Sequence, residues 1–223
     1  MEDESTLVGF VKAHRTGLLL CALVAEMVAS PLADYHPRIG ALLALLILVA
    51  LLAAASFMAN RRIVKAVVLP VAAVWIVARL LEAFGDRQHA DARLAPAAGL
   101  ALSCAVLWAI FMRVRSIPQA TGTTIAEAFI GYLIIGTAFA QLYWILNQVL
   151  DKSFNQTIPS FEISTFLYFS LITLTSVGYG GIIPINPYVR MVAAFESVVG
   201  IFYIAVVVAR LVSSYRSAER SQQ

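Results

Sequence analysis

Six stretches of mostly apolar residues, each close to the length of a membrane-crossing helix, constrain this chain more than any other feature. A hydrocarbon core about 30 Å thick needs about 20 such residues in a helix. The stretches run Thr16–Leu32, Ile39–Ala59, Ile63–Phe84, Leu94–Met112, Ala128–Leu150 and Val189–Ser213, each bounded by charges or turn residues. Composition agrees, with 61% apolar and 13% charged residues and a net charge of +3 over 223 residues. Soluble domains carry about 25% charged residues, so a cytosolic enzyme, a disordered chain and a collagen-like repeat are excluded together. A disulfide scaffold falls too, because Cys21 and Cys104 are the only cysteines and both lie in apolar stretches, where they read as small packing residues. The basic balance needs no nucleic acid, since basic loops facing anionic lipid account for it.

A seventh apolar stretch, Ile163–Ile183, is rich in Ser, Thr and Gly and short for a span, which predicts a re-entrant segment between the fifth and sixth spans. The expected fold is therefore an all-α membrane protein with six transmembrane helices, a re-entrant helix and a loop. Orientation follows from basic residues near the span ends. One side holds Lys12, Arg15, Arg61, Arg62, Lys65, Arg113, Arg115, Arg210, Arg216 and Arg220; the other holds Arg38, Arg87, Arg93, Lys152 and Arg190. Ten against five places both termini in the cytoplasm. The expected organisation is a four-helix domain over 1–115, a cytoplasmic linker over 116–127, a helix–loop–helix unit over 128–215 and a short tail over 216–223. The acidic opening MEDES, with no small-residue cleavage pattern, reads as the approach to an uncleaved first helix.

The segment Tyr168–Pro184, YFSLITLTSVGYGGIIP, carries the chemistry. Residues from about Ser164 to Thr175 suit a short helix capped by Ser160 or Ser164, whose C-terminal end, partly negative, favours a cation. In Thr175-Ser176-Val177-Gly178-Tyr179-Gly180 the two glycines open backbone angles closed to other residues, so successive carbonyls can face one axis. This segment resembles the pore of potassium channels, whose Thr-Val-Gly-Tyr-Gly filter replaces an ion's hydration shell with carbonyl oxygens. The resemblance covers about Ile163 to Ser213, with the fifth span as pore-lining partner. It implies K+ ligation at Ser176, Val177, Gly178 and Tyr179, with Thr175 just below and Gly180 at the outer exit. It further implies that Tyr168 and Phe169 brace the filter from behind and that Gly200 is either the hinge of the last helix or a close-contact glycine. Two positions depart from the family pattern. Ser176 stands where Thr is more usual, keeping the hydroxyl and losing the methyl. Gly181 stands where Asp is usual, so a carboxylate that ties down the outer filter is absent.

Glu196 lies four residues before Gly200, on the same helix face, and is expected to accept hydrogen bonds from Ser170 or Thr173 or to lend negative potential to the ion cavity. The fourth span has no Lys or Arg between Leu94 and Met112. Moving a charge through the field is worth about 2.3 kcal/mol per 100 mV, so voltage dependence should be weak. Arg79 and Glu82 share a face of the third span and suit an ion pair, with Glu26 as an alternative partner for Arg79. Pro70 predicts a kink in that span. Tyr143 and Trp144 suit the outer membrane interface, while Trp75 and Trp108 lie deeper. His14, His36 and His89 are scattered, so no metal cluster is expected, and the dispersed acids give no catalytic pair.

These readings converge on a passive potassium-selective channel with no cofactor beyond its permeant ion. One filter loop per chain calls for several copies around one axis, the resemblance implies a homotetramer in lipid, and the compact chain suggests a bacterial inner membrane. A less selective cation channel is the main alternative, and a subunit of a potassium uptake transporter the weaker one. The gate is expected at the filter or at a constriction of the last helix near Ala205–Ala209.

Overall fold

The computed structural model describes residues 2–36, 38–40, 42–43, 45–46, 68–84, 93–115, 122–159 and 162–220, and side-chain surroundings for 16–36, 38–40, 42–43, 45–46, 68–81, 93–111, 126–159 and 162–209. Its named elements are α1 (Glu2–Tyr35), α2 (Leu69–Phe84), α3 (Leu94–Arg115), α4 (Gly122–Val149), α5 (Ile163–Leu174) and α6 (Pro187–Arg220). The described residues contain no strand, only an isolated antiparallel bridge between Phe154 and Pro184.

Among the described residues, four helices contain stretches long and apolar enough to cross a membrane: Thr16–Tyr35, Leu94–Phe111, Ala126–Val149 and Pro187–Ala209. They coincide with the first, fourth, fifth and sixth expected spans. The expected second span, Ile39–Ala59, lies almost wholly outside the described residues. Of the third, Ile63–Phe84, the described helix starts at Leu69. The kink expected at Pro70 falls at the edge of the described residues, where Val68 is π-helical and residues 61–67 lie outside those described. The 12 residues of α5 reach only about 18 Å, too short to cross a bilayer core.

Local chemistry explains several features of these helices. Pro31 lies inside α1 and cannot donate to the Met27 carbonyl; the Ser30 hydroxyl does so instead, at 2.9 Å. At the start of α6, Pro187 takes the first helical position and the Asn186 side chain accepts from the Tyr188 N–H at 3.0 Å, an N-cap followed by a preset φ.

The helix α4 is the hub, packing against α1, α3, α5 and α6. Two apolar cores meet along it. One joins Leu19 and Leu23 of α1, Trp75 of α2, Leu102 and Val106 of α3, and Ile130, Leu133 and Ile134 of α4. The other joins Tyr143 and Trp144 of α4 to Phe154 and Ile158 of the following loop and to Phe166, Leu167 and Phe169 of α5. The leading helices thus pack on the α4–α5 unit of their own chain. Burial also revises three readings. Tyr143 and Trp144 are buried in the second core rather than standing at an interface, because their rings close the space between α4 and α5. Trp108, by contrast, is exposed. Cys21 and Cys104 are free thiols on exposed helix faces, so they are not packing residues within this chain.

Candidate functional site

The helix α5 ends at Leu174, and the chain beyond it folds back on the helix through its N–H groups. Thr175 N donates to Leu171 O (3.0 Å), Ser176 N to Thr173 O (2.9 Å), and Val177 N and Gly178 N both to Ile172 O (2.9 and 3.1 Å). The Thr175 hydroxyl adds a bond to Leu171 O at 2.6 Å. Among the described residues, no carbonyl from Thr175 to Gly180 accepts a backbone hydrogen bond. Donors therefore turn inward and acceptors are left open.

The backbone alternates along the same stretch. Ser176, Gly178 and Gly180 have φ of 59°, 54° and 79°, while Val177 and Tyr179 between them are not left-handed. Alternating the hand of successive residues cancels the helical twist and brings successive carbonyls to one side of an extended chain. Glycine adopts this freely at two of the three positions, but Ser176 does so at a cost of about 1–2 kcal/mol. That third left-handed position was not legible in the sequence. All six residues from Thr175 to Gly180 are exposed in the single chain, and so is Gly181.

Behind this stretch, the C-terminal carbonyls of α5 are met from both neighbouring helices. Tyr132 of α4 donates its hydroxyl to Leu174 O at 3.1 Å, and Ser197 of α6 donates to Thr173 O at 3.2 Å. Gly200 of α6 comes so close that an added Cβ would lie 2.0 Å from Leu174 O. Gly200 thus makes a close contact with α5, within a helix α6 that runs through it unbroken.

The deepest polar group is Glu196, with no exposed surface. Its Oε2 accepts from the Tyr143 hydroxyl at 2.6 Å and its Oε1 from the Ser170 hydroxyl at 2.5 Å, while Ser170 Oγ also lies 2.7 Å from Gly136 O. The expected Ser170 contact is present. Thr173 contributes its carbonyl to Ser197 instead, and full burial between α4 and α5 removes Glu196 from any open cavity. Phe169 is buried beside this group, its ring edge-on to Tyr143 at 4.9 Å and to Phe154 at 5.2 Å. Its neighbour Tyr168 remains 44% exposed, so within one chain only Phe169 of that aromatic pair reaches the core behind the loop.

Two anchors were invisible in the sequence. The first is Asp34 near the end of α1. The N-cap of α5 is Glu162, neither Ser160, which lies outside the described residues, nor Ser164, and Glu162 makes no side-chain capping bond. Asp34 Oδ2 supplies it from another helix, accepting from the Ser164 N–H at 3.3 Å and from the Ser164 hydroxyl. The second is Asn155, which pairs with Ile183 through Asn155 N to Ile183 O and Ile183 N to Asn155 Oδ1, both 2.9 Å. With Ile185 N donating to Ser153 O at 3.0 Å, the loop before α5 holds the loop after Gly181. In sequence, Asp34 signals only a span end and Asn155 only a turn.

The remaining candidates are less connected. The Arg79 guanidinium lies 3.2 Å from where a Gly40 Cβ would stand. The side chains of Glu82, His14 and His89 lie outside those described. Among the described residues no group of three His, Cys, Asp or Glu can hold a metal.

Residues 127–217 match the model of a family described as "Ion channel". The match covers most of α4, the loops, α5 and nearly all of α6. It supports an ion channel and transport across a membrane rather than an enzyme. No curated protein and no solved structure matches the chain.

Proposed function

We propose that this chain is one subunit of a homotetrameric, potassium-selective channel, with Thr175–Gly180 as its selectivity filter. The observation that carries the reading is the backbone of that stretch: N–H groups bonded back to α5, carbonyls free, and left-handed residues at every second position. In a fourfold ring, the carbonyls of Ser176, Val177, Gly178 and Tyr179 would replace the water around K+, with the Ser176 hydroxyl at the cavity end. Conduction is then passive and single-file, ions leaving past Tyr179 and Gly180 by mutual repulsion. The exposed apolar residues of α6, Phe195, Ile201, Phe202 and Val206 among them, supply faces for neighbouring subunits and lipid. Six spans with α5 as a re-entrant pore helix, and both termini in the cytoplasm of a cell (inner) membrane, complete the proposed topology.

Weak voltage dependence belongs to the same proposal, because α3 has no basic residue from Leu94 to Met112. A less selective cation channel is favoured by one feature. Gly181 brings no carboxylate to the outer end, which backbone and Asn155 bonds to the loop before α5 tie instead. Reversal potential decides between them. Purified protein in a planar bilayer between potassium and sodium solutions should reverse near the potassium equilibrium potential, and Gly178→Ala should abolish that selectivity. Equal potassium and sodium permeability would establish the second reading.

A further inference from the structure

The hub helix α4 has polar residues on a second face, turned away from α5. Ile134, Thr137 and Gln141 recur at spacings of three and four and line a cavity of about 40 Å³ between α1, α2, α3 and α4. Glu26, Trp75, Gly99 and Ser103 lie on its other walls. Gln141 is 8% exposed, and its Oε1 has no hydrogen-bond partner. Gln141 reaches this position only because α3 presents Gly99, where a Cβ would meet Oε1 at 2.3 Å. The Thr137 hydroxyl spends its proton on Leu133 O at 3.0 Å, so toward the cavity it is an acceptor.

The lining residues carry acceptors in the Glu26 carboxylate, Gln141 Oε1 and Thr137 Oγ1, and donors in the Trp75 indole and the Ser103 hydroxyl. A buried polar group without a partner costs about 1–3 kcal/mol, and the missing partner here is a hydrogen-bond donor. The cavity exceeds the roughly 10–15 Å³ that one water requires and offers the two to four polar partners that hold it. A metal or ammonium ion would also suit acceptors. Water suits the lining better, because it also accepts from the Trp75 and Ser103 donors, which a cation cannot do.

We propose that this cavity is an internal water site, in which water donates one proton to Gln141 Oε1 and the other to the Glu26 carboxylate and so bonds α1 to α4. The leading helices are then held to α4 by exchangeable hydrogen bonds as well as by apolar packing. This inference stands apart from the proposed conduction, since it concerns the opposite face of α4 and its test reads no current.

The test is water-edited solid-state NMR of the labelled full chain in lipid nanodiscs, reading magnetisation transfer from water to the Gln141 carboxamide. Asn155, in an exposed loop, and Ala140, fully buried one residue away, are the references. Gln141 should build up several-fold faster than Ala140, equally in potassium and in a bulky organic cation. Ser103→Leu, which fills the cavity, should slow that transfer to the Ala140 rate. Should that variant not fold, the native comparison still decides. Transfer to Gln141 as slow as to Ala140 would show a dry cavity and overturn the proposal. Transfer or a Gln141 chemical shift that depends on potassium or sodium would overturn it in favour of an ion.

Discussion

The face of α4 turned toward α5 and α6 differs in kind from the face turned toward α1 and α3. On the first, directional bonds recur about once per turn: Tyr203 to Ala128 O, Tyr132 to Leu174 O, Ser170 to Gly136 O and Tyr143 to Glu196. On the second, Ile130, Leu133 and Ile134 meet Leu19, Leu23, Leu102 and Val106 in apolar packing. The difference follows from what each face must hold. A loop with left-handed residues and unpaired carbonyls is not a local energy minimum and persists only where its surroundings over-determine it. Helices already satisfied internally need only contact. The proposed filter region should therefore be intolerant of small changes, and the leading helices forgiving.

The largest effect that would break this contrast is expected at Gly200. Its Cβ would fall 2.0 Å from a backbone oxygen that Tyr132 already engages, so neither side can yield without moving α5 against α6. Gly200→Ala should destabilise by at least about 3 kcal/mol, the upper part of the overpacking range. Gly181→Ala, with nothing within 4 Å of its Cβ and no positive φ, should leave the thermal midpoint unchanged. Equal midpoints for the two variants would mean that α5 and α6 do not meet as described.

Next come the partners of Glu196. Tyr143→Phe removes one donor from a fully buried carboxyl and should cost about 1–3 kcal/mol. Glu196→Gln keeps the shape but offers Tyr143 an acceptor on one side only, and should cost less. Both variants should alter gating or assembly while leaving the reversal potential at its native value. A selective rise in sodium permeability would instead give Glu196 a direct part in ion discrimination.

Asp34 lies between the two regimes, because it is a bond from the forgiving half to the demanding one. Asp34→Ala strips α5 of the cap that Glu162 does not make, at about 1 kcal/mol. Amide exchange at Ser164 and Thr165 should accelerate, with exchange in α3 unchanged. Acceleration in α3 as well would mean that Asp34 holds the leading helices together rather than α5.

What was legible in the sequence divides along the same line. Length and hydropathy located the four described helices long enough to cross a membrane, since crossing a bilayer core is a demand each helix meets alone. The motif of the proposed filter and the shared face of Glu196 and Gly200 are also local patterns, and Ser170 was found as a partner for that reason. Tyr143 was misread as interfacial because its hydroxyl finds Glu196 53 residues away, and Asp34 reaches Ser164 across 130. Such contacts leave no periodicity to read. Ser176 shows the converse, a residue whose own type argues against the φ that its surroundings impose.

The smallest effect sharpens the contrast from the forgiving side. Cys21 and Cys104 stand on exposed faces of α1 and α3, among exposed Val24, Val28 and Trp108. In water, trimming an exposed apolar side chain is already mild. In lipid the surrounding tails are as apolar as the side chain, so trimming it removes almost no transfer energy. Cys21→Ala and Cys104→Ala should each shift stability by less than about 0.5 kcal/mol, the range of substitutions away from any contact. Chemical unfolding of the assembled protein in bilayers checks this. A loss of about 1 kcal/mol or more would place those faces against a neighbouring subunit, because only packing against protein leaves a cavity when a side chain shrinks. The leading helices would then share the intolerance of the α5 and α6 face, and the two sides of α4 would differ in the type of their contacts but not in how strictly they constrain the chain.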